Sequence, residues 1–121
     1  MNSKLTIVLR LLLGLILLVF GANKFFGFIP MEAPPEGSFM AALVATGYMI
    51  PLIAITEIVA GLLLIINKWT GLALILTAII SVNIVLFHLV FAPASIAAAA
   101  LVAVLNVVLI YANWKKFKTL F

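Results

Sequence analysis

The chain contains no cysteine, one histidine and only three acidic residues among its 121 residues. Without cysteine it can form no disulfide, offer no thiolate nucleophile and bind no zinc or iron–sulfur cluster through sulfur. Charged residues make up 8% of the chain, against about 25% in soluble domains. Hydrophobic residues make up 68%, more than a soluble domain of this length can shield from water, so the expected solvent is lipid.

Most of the positive charge lies near the ends of apolar segments. The net charge of +4 therefore indicates a cytoplasmic face and contact with anionic lipid headgroups, not nucleic acid. The candidate membrane-interface cations are Arg10, Lys68, Lys115, Lys116 and Lys118. The single histidine has no second ligand at a suitable spacing, so no metal site is predicted. No haem or flavin motif is present either, and we expect no intrinsic cofactor.

Four segments have the apolarity expected of membrane-spanning helices: residues 5–26, 50–66, 70–91 and 96–114. They predict an all-α, integral membrane four-helix bundle that takes up residues 1–121 as one transmembrane domain. Residues 27–47 begin as a Pro- and Gly-rich external loop. Ser38 then resembles an N-cap for a short apolar helix, which we expect to lie at the interface or to re-enter the bundle mouth.

The charges on the loops predict the orientation of the chain. Both termini and the turn at Lys68 fall on one side, which carries lysines and no acid. The opposite loop carries Glu32 and Glu36. By the positive-inside rule, the N- and C-termini are cytoplasmic.

The first segment carries small residues on one helical face. Arg10, Gly14, Leu17, Gly21 and Lys24 follow one another at steps of 4, 3, 4 and 3, which places them on the same side of a helix. Glycine on such a face allows a neighbouring helix to approach closely. The pattern fits a packing seam with a charge at each end, or a seam whose Lys24 points into a functional pocket.

Other small residues extend the predicted packing surfaces. Gly61 lies in the second segment, and Ala99 and Ala103 share a face of the fourth. Leu13 lies off the glycine face of the first segment, so we expect Leu13→Ala to be nearly silent.

The second segment carries one carboxylate near its middle, Glu57. The eleven Leu, Ile and Val residues from Ile50 to Ile66 outweigh it, since each favours insertion by about 0.3–0.6 kcal/mol and an acid opposes it by about 2.5–3.5 kcal/mol. A carboxylate at this depth usually faces the bundle interior or a wet cavity and has a partner. Burial and a neighbouring cation act on its protonation in opposite directions, so its charge state stays open.

Depth along the helices selects the candidate partners of Glu57. At about 1.5 Å per residue, Lys24 and His88 lie near the same outer end as Glu57, whereas Arg10 lies about 21 Å from Lys24. The candidate polar cluster comprises Asn23, Lys24, Glu57, Asn83 and His88. Two simpler interpretations stay open: His88 as an interface residue that donates to a backbone carbonyl, and Glu57 as one half of a structural ion pair.

Several motifs together resemble the DoxX and DoxX-like small membrane proteins. They are Arg10, Gly21-Ala-Asn-Lys24, Ala45-Thr-Gly-Tyr-Met-Ile-Pro51, Glu57-Ile-Val-Ala-Gly61-Leu-Leu-Leu, Asn83-Ile-Val-Leu-Phe-His88 and Pro93. The resemblance implies a four-helix protein of the bacterial inner membrane. Some members of the family are associated with thiosulfate:quinone oxidoreduction and others with membrane complexes that handle oxidative stress.

Three functions are compatible with these residues. The favoured hypothesis is a binding subunit of a membrane redox or stress system, whose outward-facing pocket holds a lipophilic molecule such as a quinone or a lipid. The alternatives are a structural or assembly protein with a buried ion pair and no ligand, and a proton-handling component of a quinone oxidoreductase. Whether the chain is an enzyme stays open. Its expected partners are the bilayer, a membrane or periplasmic redox protein, and further copies of itself.

The predicted topology can be tested directly because the chain has no native cysteine. Ser38→Cys should react with a membrane-impermeant thiol reagent added to intact cells, and Thr119→Cys should react only after the membrane is opened. The reverse pattern would contradict the orientation, and labelling of both residues from outside would contradict the number of spans.

Overall fold

The computed structural model describes residues 3–30 and 34–118, so Glu32 and Thr119 lie outside the described residues. Six α-helices are found in these ranges: α1 (Ser3–Phe26), α2 (Phe39–Ala45), α3 (Met49–Ile66), α4 (Thr70–Phe91), α5 (Ala97–Ala112) and α6 (Trp114–Lys118). A 3-10 turn, Pro93–Ser95, connects α4 to α5. The described residues contain no strand, which confirms the all-α class.

The helix ends follow from residues suited to them. At Gly27, φ is +63°, a left-handed conformation that costs glycine little, and its N–H donates to Asn23 O as α1 ends. The hydroxyl of Ser38 caps α2 by accepting from the N–H of Ala41 at 3.1 Å, which confirms the predicted N-cap. Asn67 adopts the left-handed conformation at the end of α3, where asparagine is the usual alternative to glycine.

Three of the described helices, α1, α3 and α4, are long and apolar enough to cross a membrane. The sequence predicted a fourth span over 96–114, but α5 has only 16 residues, fewer than the roughly 20 that a span needs. The helix breaks at Asn113, whose side-chain amide donates to Leu109 O at 2.8 Å. Asparagine favours such a break because its side chain competes with the backbone for helical carbonyls.

The outward faces of these helices are apolar. Only 22–28% of the residues in the span-length segments are buried within the protein. The exposed side chains include Val8, Leu15, Ile55 and Ile79, each more than half accessible. In water such a surface would drive aggregation, whereas hydrocarbon chains solvate it without cost, so this is a membrane protein.

Helices α1, α3, α4 and α5 form a ring in which each contacts two of the others. The core at the centre of the ring is built from leucines, among them Leu17, Leu64, Leu74 and Leu109. Leu13 belongs to the same core and is 0% exposed, so the expectation that Leu13→Ala would be silent is wrong. Helix α1 meets two neighbours, and its buried arc is therefore wider than the glycine face alone.

Helices α1 and α3 approach so closely that their backbones touch along a glycine seam, formed by Gly14 and Gly21 of α1 and Gly61 of α3. A Cβ atom added to Gly21 would lie 2.9 Å from the carbonyl oxygen of Ala54, and one added to Gly61 would lie 2.7 Å from that of Gly14. Real Cβ atoms essentially never approach so closely, so the seam requires glycine at these positions.

Helices α4 and α5 are joined by small and polar residues. Ala99 is buried, and Ala103 is half-buried. The side chain of Asn106 is also buried, donates to Leu74 O at 3.0 Å and lies 3.4 Å from the Ser81 hydroxyl. A satisfied amide of this kind fixes the register of the two helices, since an unpaired one in hydrocarbon is costly.

We expect alanine at Gly21 to destabilise the protein by about 1–3 kcal/mol, because the obstructing atoms include the Ala54 carbonyl oxygen of the α3 backbone, which cannot move alone. Gly71 provides a matched control, since an added Cβ there would lie 3.9 Å from Lys116 Cβ, an ordinary contact. Gly71→Ala should be neutral or slightly stabilising. Thermal unfolding of both variants in detergent gives the comparison, and equal melting temperatures would contradict the seam.

Candidate functional site

The site begins with the place of Glu57 on α3. Its side chain is 5% exposed and starts directly opposite Gly21, where an added Cβ would lie 3.1 Å from Glu57 Cβ. The missing side chain at Gly21 thus leaves the space into which Glu57 extends. The same face of α1 continues one turn further to Lys24.

Lys24 and Glu57 form an ion pair between the two helices. Lys24 Nζ lies 2.6 Å from Glu57 Oε1, and it also lies 3.5 Å from Phe20 O in its own helix. A helical side chain leans towards the N-terminus of its helix, so Lys24 extends away from the α1 end and down to the level of Glu57. The lysine side chain is 28% exposed and that of Glu57 is 5% exposed, so the pair is accessible mainly through Lys24.

Oε2, the second carboxylate oxygen of Glu57, has no hydrogen-bond partner among the described residues. Among the described residues, Lys24 is the hydrogen-bond partner of Glu57 and uses Oε1. No fully buried side-chain oxygen in the described residues lacks a partner, so Oε2 is reached from outside the packed interior. The ion pair therefore presents an acceptor, Oε2, and a partly exposed ammonium group, Lys24 Nζ, to whatever enters beside it.

Asn23 holds the chain that leaves α1. It is buried, and its Oδ1 accepts from the backbone N–H of Ile29 at 2.7 Å. This bond turns the loop back over the end of α1, next to Lys24. Asn23 is thus adjacent to Lys24 in the sequence, but its side chain stabilises the loop.

Within the described residues, neither His88 nor Asn83 forms a hydrogen bond with Glu57. His88 Nδ1 lies 2.9 Å from Ile84 O, and the ring packs edge-on against Phe87 at 5.2 Å. Asn83 is exposed and donates to Ile79 O at 2.8 Å. One nitrogen of each side chain thus pairs with a carbonyl of α4 itself, and the expected hydrogen bond between His88 and Glu57 is not formed among the described residues.

An aromatic cleft lies at the same end of the protein. The ring of Phe39 in α2 stacks on Phe91 at 5.4 Å and lies 6.0 Å from Phe87, so α2 rests on the last turns of α4. These rings, with Pro35, Met40 and neighbouring residues, line a largely apolar cleft of about 480 Å³. Sequence reasoning missed the cleft, although Phe87 and Phe91 are spaced to share one face of a helix.

Arg10 occupies the opposite end of α1. Its Nη1 donates to the carbonyl of Leu64 and, at 3.3 Å, to that of Ile65, both in the last turn of α3. The sequence predicted that Arg10 is an interfacial cation. In the structure its guanidinium group donates to carbonyls at the end of α3, which have no partner within the helix. Within residues 3–30 and 34–118, no group of three His, Asp or Glu side chains is placed to hold a metal ion.

A ring of apolar helices with an ion pair between α1 and α3 defines a polytopic membrane protein with a polar site near one end. The family profile described as DoxX matches residues 5–89, from the first turn of α1 almost to the end of α4. The match covers more than half of the chain, and the chain belongs to the DoxX family, which confirms the resemblance seen in the sequence. No curated protein and no solved structure matches it.

A double-mutant cycle tests whether the ion pair stabilises the fold. Lys24→Met leaves a nearly buried carboxylate without its cation and should cost about 3 kcal/mol or more of unfolding free energy. Glu57→Gln should cost less, because Lys24 is partly exposed and can reach headgroups. The double variant should lose less than the sum, with a coupling of about 0.5–3 kcal/mol.

Thr56→Val is the matched control for this cycle. Thr56 neighbours Glu57 and is half-buried, but its hydroxyl donates to Leu52 O in its own helix and takes no part in the pair. We expect this variant to stay within about 0.5 kcal/mol of wild type. Unfolding in a detergent titration compares these four variants with wild type, and strict additivity of the two single variants would contradict the pair.

Proposed function

We propose that the chain crosses the bacterial inner membrane four times, with both termini in the cytoplasm and α5 as the fourth span. At about 1.5 Å per residue, α5 covers about 24 Å of a hydrocarbon core about 30 Å thick. The 3-10 turn before it and α6 after it can fill the remaining distance. Six of the seven basic residues lie at the end where α1 begins, which supports the orientation.

We further propose that the protein binds a lipophilic molecule with a polar head, a quinone or a lipid, at the Lys24–Glu57 pair. The supporting observation is the ion pair itself, since it keeps Glu57 Oε2 and part of Lys24 Nζ available inside an apolar protein. The ammonium group can donate to a carbonyl or phosphate oxygen, and Oε2 can accept from a hydroxyl group. An apolar tail suits the aromatic cleft at the same end.

Helix α2 provides a cover for this site in the proposal. It is too short to cross a bilayer and rests on α4 through Phe39, while Asn23 turns the loop before it over the end of α1. A ligand would enter beneath α2 from the outer leaflet. As part of a redox or stress system, the protein would then hold the lipophilic molecule for a partner protein.

A structural role is the second candidate, and one observation favours it. The ion pair joins the same two helices as the glycine seam, and a Cβ added at Gly21 would lie 3.1 Å from Glu57 Cβ. A pair at this position can fix the register of α1 against α3 without any ligand. The two candidates differ in whether the purified protein carries a stoichiometric molecule.

Mass spectrometry of solvent extracts from the purified protein separates the candidates. We expect about one quinone or specific lipid per chain in wild type and in the Thr56→Val control. Glu57→Gln should fold but lose the molecule, and Phe39→Ala should weaken its retention, because α2 loses its contact with α4. Full occupancy in Glu57→Gln would contradict binding at the pair, and an empty wild type would favour the structural role.

A further inference from the structure

Asn83 is a polar side chain on the lipid-facing surface of α4. It is exposed, whereas Thr70, Thr77 and Ser81 of the same helix are buried within the protein. At about 1.5 Å per residue, Asn83 lies about 20 Å from the start of α4 at Thr70 and about 12 Å from its end at Phe91. This depth places its amide within the hydrocarbon core, where an amide without hydrogen bonds is costly.

The backbone of α4 satisfies only part of this amide. One N–H of Asn83 Nδ2 donates to Ile79 O at 2.8 Å. The second N–H and Oδ1 have no hydrogen-bond partner among the described residues. The exposed side of the amide is therefore a donor and an acceptor at once, so two such groups are complementary to each other.

Asn83 belongs to an exposed stripe on one face of α4. The α4 stripe consists of Ile79, Asn83, Leu86 and Val90, which follow one another at steps of 4, 3 and 4. Its three apolar members are each more than half exposed. Steps that alternate between 3 and 4 are the spacing of the a and d positions at which two helices pack along a seam, and here Asn83 and Val90 fall at a. A single Asn at an a position fixes the register and the number of helices in such a seam.

The bilayer fixes how two copies of the chain can meet. Copies of one chain are inserted in the same orientation, so their α4 helices are parallel and each Asn83 lies at the same depth. A two-fold axis along the membrane normal then places one Asn83 opposite the other, with apolar side chains on both sides of the pair. The α4 stripe carries no charge, so it offers nothing to a partner recognised through a salt bridge.

We propose that the α4 stripe is the interface at which two copies of this chain form a parallel dimer. Each Asn83 donates its second N–H to Oδ1 of the other copy's Asn83, which satisfies both amides within hydrocarbon. Helix α4 contacts α3 and α5 with its buried face, so the dimer leaves the ring of four helices unchanged. The Lys24–Glu57 pair lies between α1 and α3, so the interface is separate from the proposed ligand site.

Disulfide cross-linking in native membranes tests the interface, since the chain has no native cysteine. Leu86→Cys places a thiol on the α4 stripe and should give a product with twice the mass of the chain under a membrane-permeant oxidant. Leu15→Cys is the matched control, because Leu15 is 54% exposed and Leu86 53%, but α1 lies across the ring from α4. This control should give little of the product.

The role of Asn83 is tested in the Leu86→Cys background. Asn83→Leu should lower the cross-linked fraction about three- to tenfold, because it removes the hydrogen bonds between the two helices. Asn83→Gln keeps a donor and an acceptor and should preserve most of the product. Both substitutions change an exposed side chain, so melting temperatures in detergent should match that of the Leu86→Cys parent.

Three results would overturn the proposal. Equal cross-linking through Leu86→Cys and Leu15→Cys would indicate random collision of the chains in the membrane. An unchanged product in Asn83→Leu would show that the amide takes no part in association. A product whose mass differs from that of two chains would assign the α4 stripe to a different membrane protein.

Discussion

The close contact between α1 and α3 is the constraint on which the rest of the structure depends. Because Gly14, Gly21 and Gly61 have no side chains, the two backbones meet at distances that no other residue permits. That approach brings Glu57 within reach of Lys24 at one end and the last carbonyls of α3 within reach of Arg10 at the other. One face of α1 therefore sets both the packing and the position of two charged groups.

The two ends of this face have different chemistry. At the Lys24 end, a buried carboxylate is balanced by one lysine, and burying such a pair brings little net stability because desolvation offsets the attraction. A binding function or a register function would explain why it is present. At the other end, Arg10 lies among donors and cations, so that end favours anions. The two ends of the α1–α3 contact thus carry different charges.

Much of the fold was predictable because each helix must bury its backbone bonds and expose apolar side chains to lipid. The starts and ends of α1, α3 and α4 fall within two residues of the predicted segments. Distance along a helix is also predictable at about 1.5 Å per residue, which is why Lys24 and Glu57 could be assigned to one level. The ends of α5 (Ala97–Ala112) also fall within two residues of the predicted segment 96–114, although the helix is shorter than a span needs.

The sequence by itself determined the helical class, the membrane environment, the glycine face and the depth of each charge, since these depend on local composition and helical periodicity. The tertiary structure alone decided which neighbour each face meets. It buried Leu13 against a second helix, directed Arg10 to the carbonyls of α3, and left His88 bonded to its own helix. Periodicity fixes the angles between side chains on one helix, but the rotation of that helix towards its neighbours is set by packing of the whole ring.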